Sequence, residues 1–353
     1  MSQLLSTLRY GGLTKEQYTS IRDRIDEENR QVLLLYAPIG CVVFCVLLLL
    51  SYVTQGVANA NQMVYASSCV AMGILTVIAH GFSKNQPFVT RLLVWAIMVV
   101  LYAFSIAVSV IHPEYPSVSA IVFLMVAPLL FVELPMRVML VTVLAAAATC
   151  VTSMAVKPME LAIDDVWNAV SFGIVAIVTN VFLMRTKLVS LWRAQQIEYY
   201  SKFDRLTELQ NRNSYEESLE GYPTSGAEVI VCLYVDANGL HEINNTQGHD
   251  AGDKMLRAVA SQLRNRFGEE HVYRVGGDEF VGFVPDGTVE WTRTELEALR
   301  KQLSEDGYSV SVGVFAVTAQ DADMHSLVRS AEHEMYDQKR SFYTSSGKDR
   351  RRR

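Results

Sequence analysis

The stretch RVGGDEFVGF, residues 274–283, sets two glycines and two carboxylates between runs that read as strands. The pattern predicts a hairpin, with one strand over 272–275 and the other over 280–284. Gly276 and Gly277 suit a tight turn that accepts any backbone angle and leaves no side chain in the way of a ligand. Asp278 and Glu279 follow as hard oxygen ligands, suited to Mg²⁺ rather than to zinc.

Upstream, residues 227–235 form a largely apolar strand that ends at Asp236. If the hairpin lies beside that strand, Asp236 and Asp278 share one rim of the sheet and repel each other unless a cation holds them. A divalent ion together with a polyphosphate substrate resolves that conflict. The flanking pattern supplies the rest of a domain. Ser214 and Glu217 read as a capping box opening a short helix. Met255, Leu256, Val259 and Leu263 mark one helix face, and Leu296, Leu299 and Leu303 another. An alternating strand over 309–317 and a last helix through Leu327, Val328, Ala331 and Met335 complete an α/β layer arrangement.

The other half of the chain is different. Of 353 residues 50% are hydrophobic, and the mean hydropathy is +0.17, too apolar for an ordinary soluble enzyme. The excess lies before residue 185. Six apolar spans are expected, near 33–53, 63–81, 92–111, 118–132, 138–156 and 166–183, most of them close to the length that crosses about 30 Å of hydrocarbon. Lys and Arg are retained on the cytoplasmic side. Arg9, Lys15, Arg22, Arg24 and Arg30 precede the first span, Lys84, Arg91 and Arg137 lie in alternate hinges, and Arg185 and Lys187 follow the last. The opposite hinges offer Lys157 beside Glu160, Asp164 and Asp165. Both termini are therefore expected in the cytoplasm of a multi-pass protein of the bacterial inner membrane, with no cleavable signal peptide.

Residues 185–203 contain no Gly or Pro and read as the last membrane helix carried onward, able to pair with a second copy or to pack on its own domain. The expected domains are a cytoplasmic segment 1–32, a membrane domain 33–184, a helical linker 185–203 and a soluble domain 204–353. The 5 cysteines show no metal-ligand spacing and no disulfide is expected. The net charge of -6 and the lack of a basic, aromatic-laced stripe argue against nucleic acid. The terminal KDRRRR run reads as a solvated tail beside anionic lipid.

From residue 204 to 339 the sequence resembles the GGDEF-domain diguanylate cyclases. GGDEF stands intact over 276–280, the opening motif reads DRLTELQNR over 204–212, and the nucleotide stretch reads DANGLHEINNTQGHDAGD over 236–253. SVGV over 311–314 and a closing helix with Ala331, Tyr336 and Lys339 follow in order. The resemblance implies an all-α transmembrane bundle of six helices followed by an α/β domain with a mainly antiparallel sheet flanked by helices, of the nucleotidyl-cyclase, ferredoxin-like kind. It implies a homodimeric transferase that condenses two GTP into cyclic di-GMP with release of pyrophosphate, using two Mg²⁺ or Mn²⁺ per active site and feeding cyclic di-GMP effectors in signal transduction. Asp236, the carbonyl of Ala237, Asp278 and Glu279 would hold metal, and Asp278 would assist proton removal. Gly239 and Leu240 would cradle phosphates through backbone N–H groups, with Gly276 and Gly277 alongside. Asn244 and Asp253 would read guanine, His249 would support the pocket, and Lys339 would reach the outer phosphates. The alternative is an inactive domain that serves as a GTP or cyclic di-GMP receptor.

Several positions depart from the family pattern. Glu208 replaces a glycine, His241 stands where a lysine is common, and Tyr343 stands where a phosphate-binding arginine is frequent, a contact that Lys348 or Arg350 would have to replace. Phe267 and Glu270 occupy the place of the RxxD product-inhibition signature, so no feedback inhibition is expected there.

Overall fold

The computed structural model describes residues 7–53, 60–84, 86–222, 226–321 and 323–345. The chain divides into two compact units, Met1–Gln195 and Gln196–Arg353.

The first unit is helical. A short helix α1 (Lys15–Ser20) with a Thr14–Gln17 capping box precedes α2 (Arg22–Val53), α3 (Gln62–Phe82), α4 (Pro87–Ile111), α5 (Val118–Val126), α6 (Pro135–Val156) and α7 (Met159–Lys202). Five of these, α2, α3, α4, α6 and α7, are long and apolar enough to cross a membrane. The expected fourth span is the exception. Its helix α5 has 9 residues and passes into a 3₁₀ turn of 3 residues, Ala127–Leu129, because Pro128 cannot continue the α-helical ladder.

Many apolar side chains in this unit face outward while polar ones lie between the helices, a distribution consistent with lipid. Val42, Leu49, Met63, Val77 and Leu144 point outward, whereas Ser105, Thr142, Thr149 and Asn180 are buried. Small and polar residues between helices permit close approach and hydrogen bonding where no hydrophobic gain separates lipid from protein. Two groups of polar residues are paired in ways the sequence did not disclose. Lys157 and Asp165, expected in one hinge, form a buried ion pair at 2.9 Å, and Asp165 also accepts from the Ser117 N–H and the Ser117 and Ser153 hydroxyls. Residues 22–32 are continuous with the first apolar span in α2, where Asp26 pairs with Arg91.

The expected last span and linker are one helix, α7, of 44 residues. The division between the units falls inside it, after Gln195.

The second unit continues with α8 (Arg212–Gly221), β1 (Val229–Ala237), α9 (Leu240–Gln247), α10 (His249–Phe267), β2 (Val272–Arg274), β3 (Glu279–Pro285), α11 (Val289–Glu305), β4 (Val310–Thr318) and α12 (Met324–Ser345). The four strands pair antiparallel in the order β2-β3-β1-β4. Strand alternation splits β1 between two cores. Val231, Leu233 and Val235 pack with Met255 and Val259 of α10 and Leu296 and Leu299 of α11. Ile230, Cys232 and Tyr234 pack on the other face with Leu219 of α8 and Leu327, Ala331 and Met335 of α12.

The SVGV glycine has a packing reason, since a β-carbon on Gly313 would fall 1.9 Å from the Ala331 carbonyl oxygen. Helix α12 thus lies directly on β4. One local expectation fails. The N-cap of α8 is Asn211, whose side chain accepts from the Ser214 N–H at 3.1 Å, while Ser214 Oγ turns back to the Lys202 carbonyl at 2.9 Å.

Candidate active site

The β1–β3 register sets Asp236 opposite Glu279, and the Ala237 N–H donates to the Asp278 carbonyl at 2.9 Å. The strand end and the hairpin tip therefore form one rim. The N–H and C=O of a strand residue face the same neighbour, so the Ala237 carbonyl is turned toward the hairpin. The turn itself is closed by the N–H groups of Val275 and Gly276, both donating to the Glu279 carbonyl at 3.0 and 3.3 Å.

The two glycines work differently from the sequence expectation. Neither adopts a positive φ, so backbone freedom is not what Gly276 supplies. It supplies room: a β-carbon there would lie 2.4 Å from Glu279 Oε2 and 3.2 Å from Glu279 Cβ. The Glu279 side chain folds over Gly276, whereas Gly277 faces open space.

Two residues hold this tip that the residue-by-residue reading left without a role. Arg274 donates from Nη1 to Asp204 Oδ1 at 2.8 Å and from Nη2 to the Gly277 carbonyl at 2.7 Å. Asp204 Oδ1 also accepts from the Thr207 N–H and hydroxyl, at 2.9 and 2.7 Å. Burial raises the Asp204 carboxyl pKa, but these donors and the guanidinium outweigh it and hold it below the usual aspartate value. The opening motif is thus a brace for the hairpin. A signal was present in the sequence, an arginine directly before the turn, but its partner lies 70 residues away.

Asp236 is buried. Its Oδ2 lies 2.5 Å from Lys339 Nζ, and its Oδ1 is buried with no hydrogen-bond partner. Burial pushes its pKa up to about 6, and the negative charges of Asp278 and Glu279 add to the rise while Lys339 opposes it. Lys339 moves upward too: burial lowers its pKa, but the contact with Asp236 outweighs burial. An isolated ion pair would depress its acid. Here the acid rises because burial and two neighbouring carboxylates exceed one ammonium.

Such an acid fits a divalent cation. A buried carboxylate oxygen without a partner costs free energy that coordination removes, and the donor set of Asp236, Asp278 and Glu279 is all oxygen. The set is not a finished cage, since among the described residues no three His, Cys, Asp or Glu side chains already converge on one point. Beside it opens a cleft of about 460 Å³ lined by Asp236, Glu279 and Lys339 with Arg329, Glu332 and Tyr336 of α12.

After β1 the chain turns through Gly239, at φ 77, into α9, which begins at Leu240. The left-handed angle favours glycine. The Gly239 N–H donates to Tyr343 Oη at 3.2 Å, a contact the sequence did not disclose. Asn244 Oδ1 is buried without a partner and lies where a β-carbon on Gly252 would come within 2.0 Å of it. Asp253, the next residue, stands 3.9 Å from Arg257. His249 is exposed at the start of α10, and His241 Nε2 contacts Asn245 Nδ2 at 3.1 Å. The structure thus sets Asp236, Asp278 and Glu279 along one rim with Lys339 against Asp236, places Gly239 and Leu240 just beyond the end of β1, and leaves His249 on the surface. Phe267 is buried and meets Trp291 edge to face at 5.9 Å, a packing role. Lys348, Arg350 and the basic tail lie outside the described residues.

Residues 201–343 match the family model described as "Diguanylate cyclase, GGDEF domain", and this part of the chain is a GGDEF domain. Over 147 residues the chain is 33% identical to the probable diguanylate cyclase DgcI of Escherichia coli, covering 40% of this chain and 32% of that protein. Over 110 residues it is 34% identical to the cyclic di-GMP phosphodiesterase PdeB of Shewanella oneidensis, covering 31% of this chain and 13% of that protein. The chain thus spans about a third or less of these relatives' length. The solved GGDEF domain of DgcB from Caulobacter crescentus, in complex with c-di-GMP, is 25% identical, covers 40% of this chain and 91% of that chain, and has a TM-score of 0.37.

Proposed function

We propose that the chain is a membrane-bound, homodimeric diguanylate cyclase that condenses two GTP into cyclic di-GMP, with the rim of β1 and the GGDEF hairpin as its active site. The observation that carries this reading is the buried, partnerless Oδ1 of Asp236, opposite Glu279 in the sheet register. The GGDEF domain and its diguanylate cyclase relatives support cyclic di-GMP synthesis.

Asp236, the Ala237 carbonyl, Asp278 and Glu279 would hold Mg²⁺ or Mn²⁺. Such an ion supplies charge neutralisation on the reacting phosphate and lowers the pKa of the attacking hydroxyl. The chain's own groups do the rest. Gly239 and Leu240 present backbone N–H groups at a helix start, where phosphate oxygens are stabilised. Asn244 Oδ1 and Asp253 offer acceptors to the guanine ring N–H and amino group, a donor pair that adenine lacks. Lys339, on release from Asp236, reaches the outer phosphates. Asp278 accepts the proton of the attacking 3′-hydroxyl. Each linkage joins that 3′-oxygen to the α-phosphorus of the other GTP as the bond to pyrophosphate breaks. One domain holds one GTP, so two domains must meet face to face, and α7 is the element suited to setting their approach.

GTP lies in the cytoplasm, so the domain must face it. With both termini cytoplasmic, the segment from Val118 to Leu134 has to cross beside the five long helices. Its helical part covers only about 18 Å, and the non-helical residues after Leu129 supply the remainder. That irregular backbone is satisfied by protein, as the membrane interior demands. Asn29 bonds the Val132 carbonyl and N–H at 2.9 and 2.8 Å, and Asn180 bonds the Pro128 carbonyl at 2.6 Å.

The test is product formation from labelled GTP and Mg²⁺ by membranes carrying the wild type or Asp278→Ala. Cyclic di-GMP from the wild type alone supports the reading, and equal product from both removes the assigned site. GTP binding without product in the wild type would favour a receptor.

A further inference from the structure

One face of α12 meets two groups of the proposed site, the acid assigned to the metal ion and the amide assigned to phosphate. Lys339 sets an ammonium on Asp236 Oδ2. Tyr343, four residues on and one turn further along the same face, sets its hydroxyl oxygen on the Gly239 N–H at 3.2 Å. A cation rests on the acid and an oxygen rests on the amide, the same polarity that a metal ion and a phosphate would present.

We infer that Tyr343 is a built-in competitor of the triphosphate: its hydroxyl occupies the Gly239 N–H, and GTP binds only by displacing it. The inference rests on reading Gly239 and Leu240 as the phosphate loop. An N–H carries one hydrogen, and a phosphate oxygen placed along it would coincide with the tyrosine oxygen. Tyr343 also carries no cationic group. Unlike the arginine common at this position in the family it resembles, it brings no charge that would draw the phosphates in and repay the displacement. The chain therefore trades an attractive contact for an occupied one, which raises the GTP concentration at which the site fills.

Equilibrium binding to the full-length protein in detergent with Mg²⁺ tests this, using a non-hydrolysable GTP analogue and, separately, guanosine. Tyr343→Phe keeps the ring and removes the oxygen, and Tyr343→Leu removes both. The analogue should bind about fivefold more tightly to each variant, the worth of one neutral hydrogen bond, while guanosine affinity stays unchanged. Analogue affinity that is equal or weaker in the variants overturns the inference and leaves the phosphate loop standing. So does an equal gain for guanosine, which would mark general loosening of the pocket. Absence of analogue binding in the wild type and both variants removes the loop reading and the inference together.

Discussion

Arg274 and Asp204 join across 70 residues of sequence, guanidinium to carboxylate at 2.8 Å, and through this contact the opening motif of the domain fixes the GGDEF turn. The second Arg274 nitrogen holds the Gly277 carbonyl, so one side chain spans brace and tip. Replacing it by alanine leaves a partly buried carboxylate without its cation. Arg274→Ala should destabilise the C-terminal unit by about 2 kcal/mol and lower turnover at least about tenfold. Arg274→Lys should recover little, because one ammonium cannot copy a fork that bonds two acceptors. Thermal unfolding and cyclic di-GMP formation measured together check this, and a lysine variant of wild-type activity would refute the brace.

Gly276 and Gly313 are both required for space, with different consequences. A β-carbon at Gly276 meets the end of the Glu279 side chain, which can swing away. Gly276→Ala should therefore cost under about 1 kcal/mol of stability while displacing Glu279 and weakening metal-dependent GTP binding. At Gly313 the obstacle is helix backbone, at 1.9 and 2.5 Å from Ala331 O and Met335 N. Gly313→Ala should cost about 3 kcal/mol or more and lower expression. Chemical denaturation of the two variants distinguishes them.

Glu208 adopts φ 58, the left-handed region that disfavours a side chain. Its carboxylate gains only an exposed contact with Arg264 at 3.7 Å, which adds little. Glu208→Gly restores a residue at ease there and should stabilise the domain by about 1 kcal/mol, read as a higher Tm with unchanged turnover.

These positions show what the sequence disclosed and what it could not. Strand alternation and helix spacing placed the four strands and helices α10, α11 and α12 of the second unit, because periods of two and of 3.6 residues are local signals, whereas the 8-residue α9 was not foreseen. That the end of β1 at Asp236 lies on one rim with the hairpin tip at Asp278 and Glu279 was legible as well, since a strand end and a hairpin tip have few ways to pair. The reason for Gly276, the Arg274 brace, and the ties of Lys339 and Tyr343 to β1 and Gly239 were not. They depend on partners far along the chain, at separations of up to 104 residues. In the first unit the apolar runs located the helices, but hydropathy encodes neither the break of α5 at Pro128 nor the burial of Lys157 with Asp165.

Acidity gives another test. Without metal, Asp236 has a pKa of about 6, above the ~3.9 of an unfolded aspartate. The folded state then binds the proton more tightly, so this group favours folding at low pH, and the contribution is lost as pH rises through about 6. Metal binding has the opposite sense, because the ion must displace that proton. Apparent Mg²⁺ affinity should be level above pH 6 and fall about tenfold per unit below it. A titration at several pH values that shows no break near 6 would exclude Asp236 as a ligand.

The central claim is that Asp236 and the hairpin carboxylates hold a divalent ion against the triphosphate. Electron paramagnetic resonance of Mn²⁺ reads this without turnover, in full-length protein with a non-hydrolysable GTP analogue. The wild type should bind Mn²⁺ saturably, and Asp236→Asn, which keeps the shape and removes the charge, should weaken that binding at least about tenfold. Equal Mn²⁺ affinity in the two proteins would contradict the account.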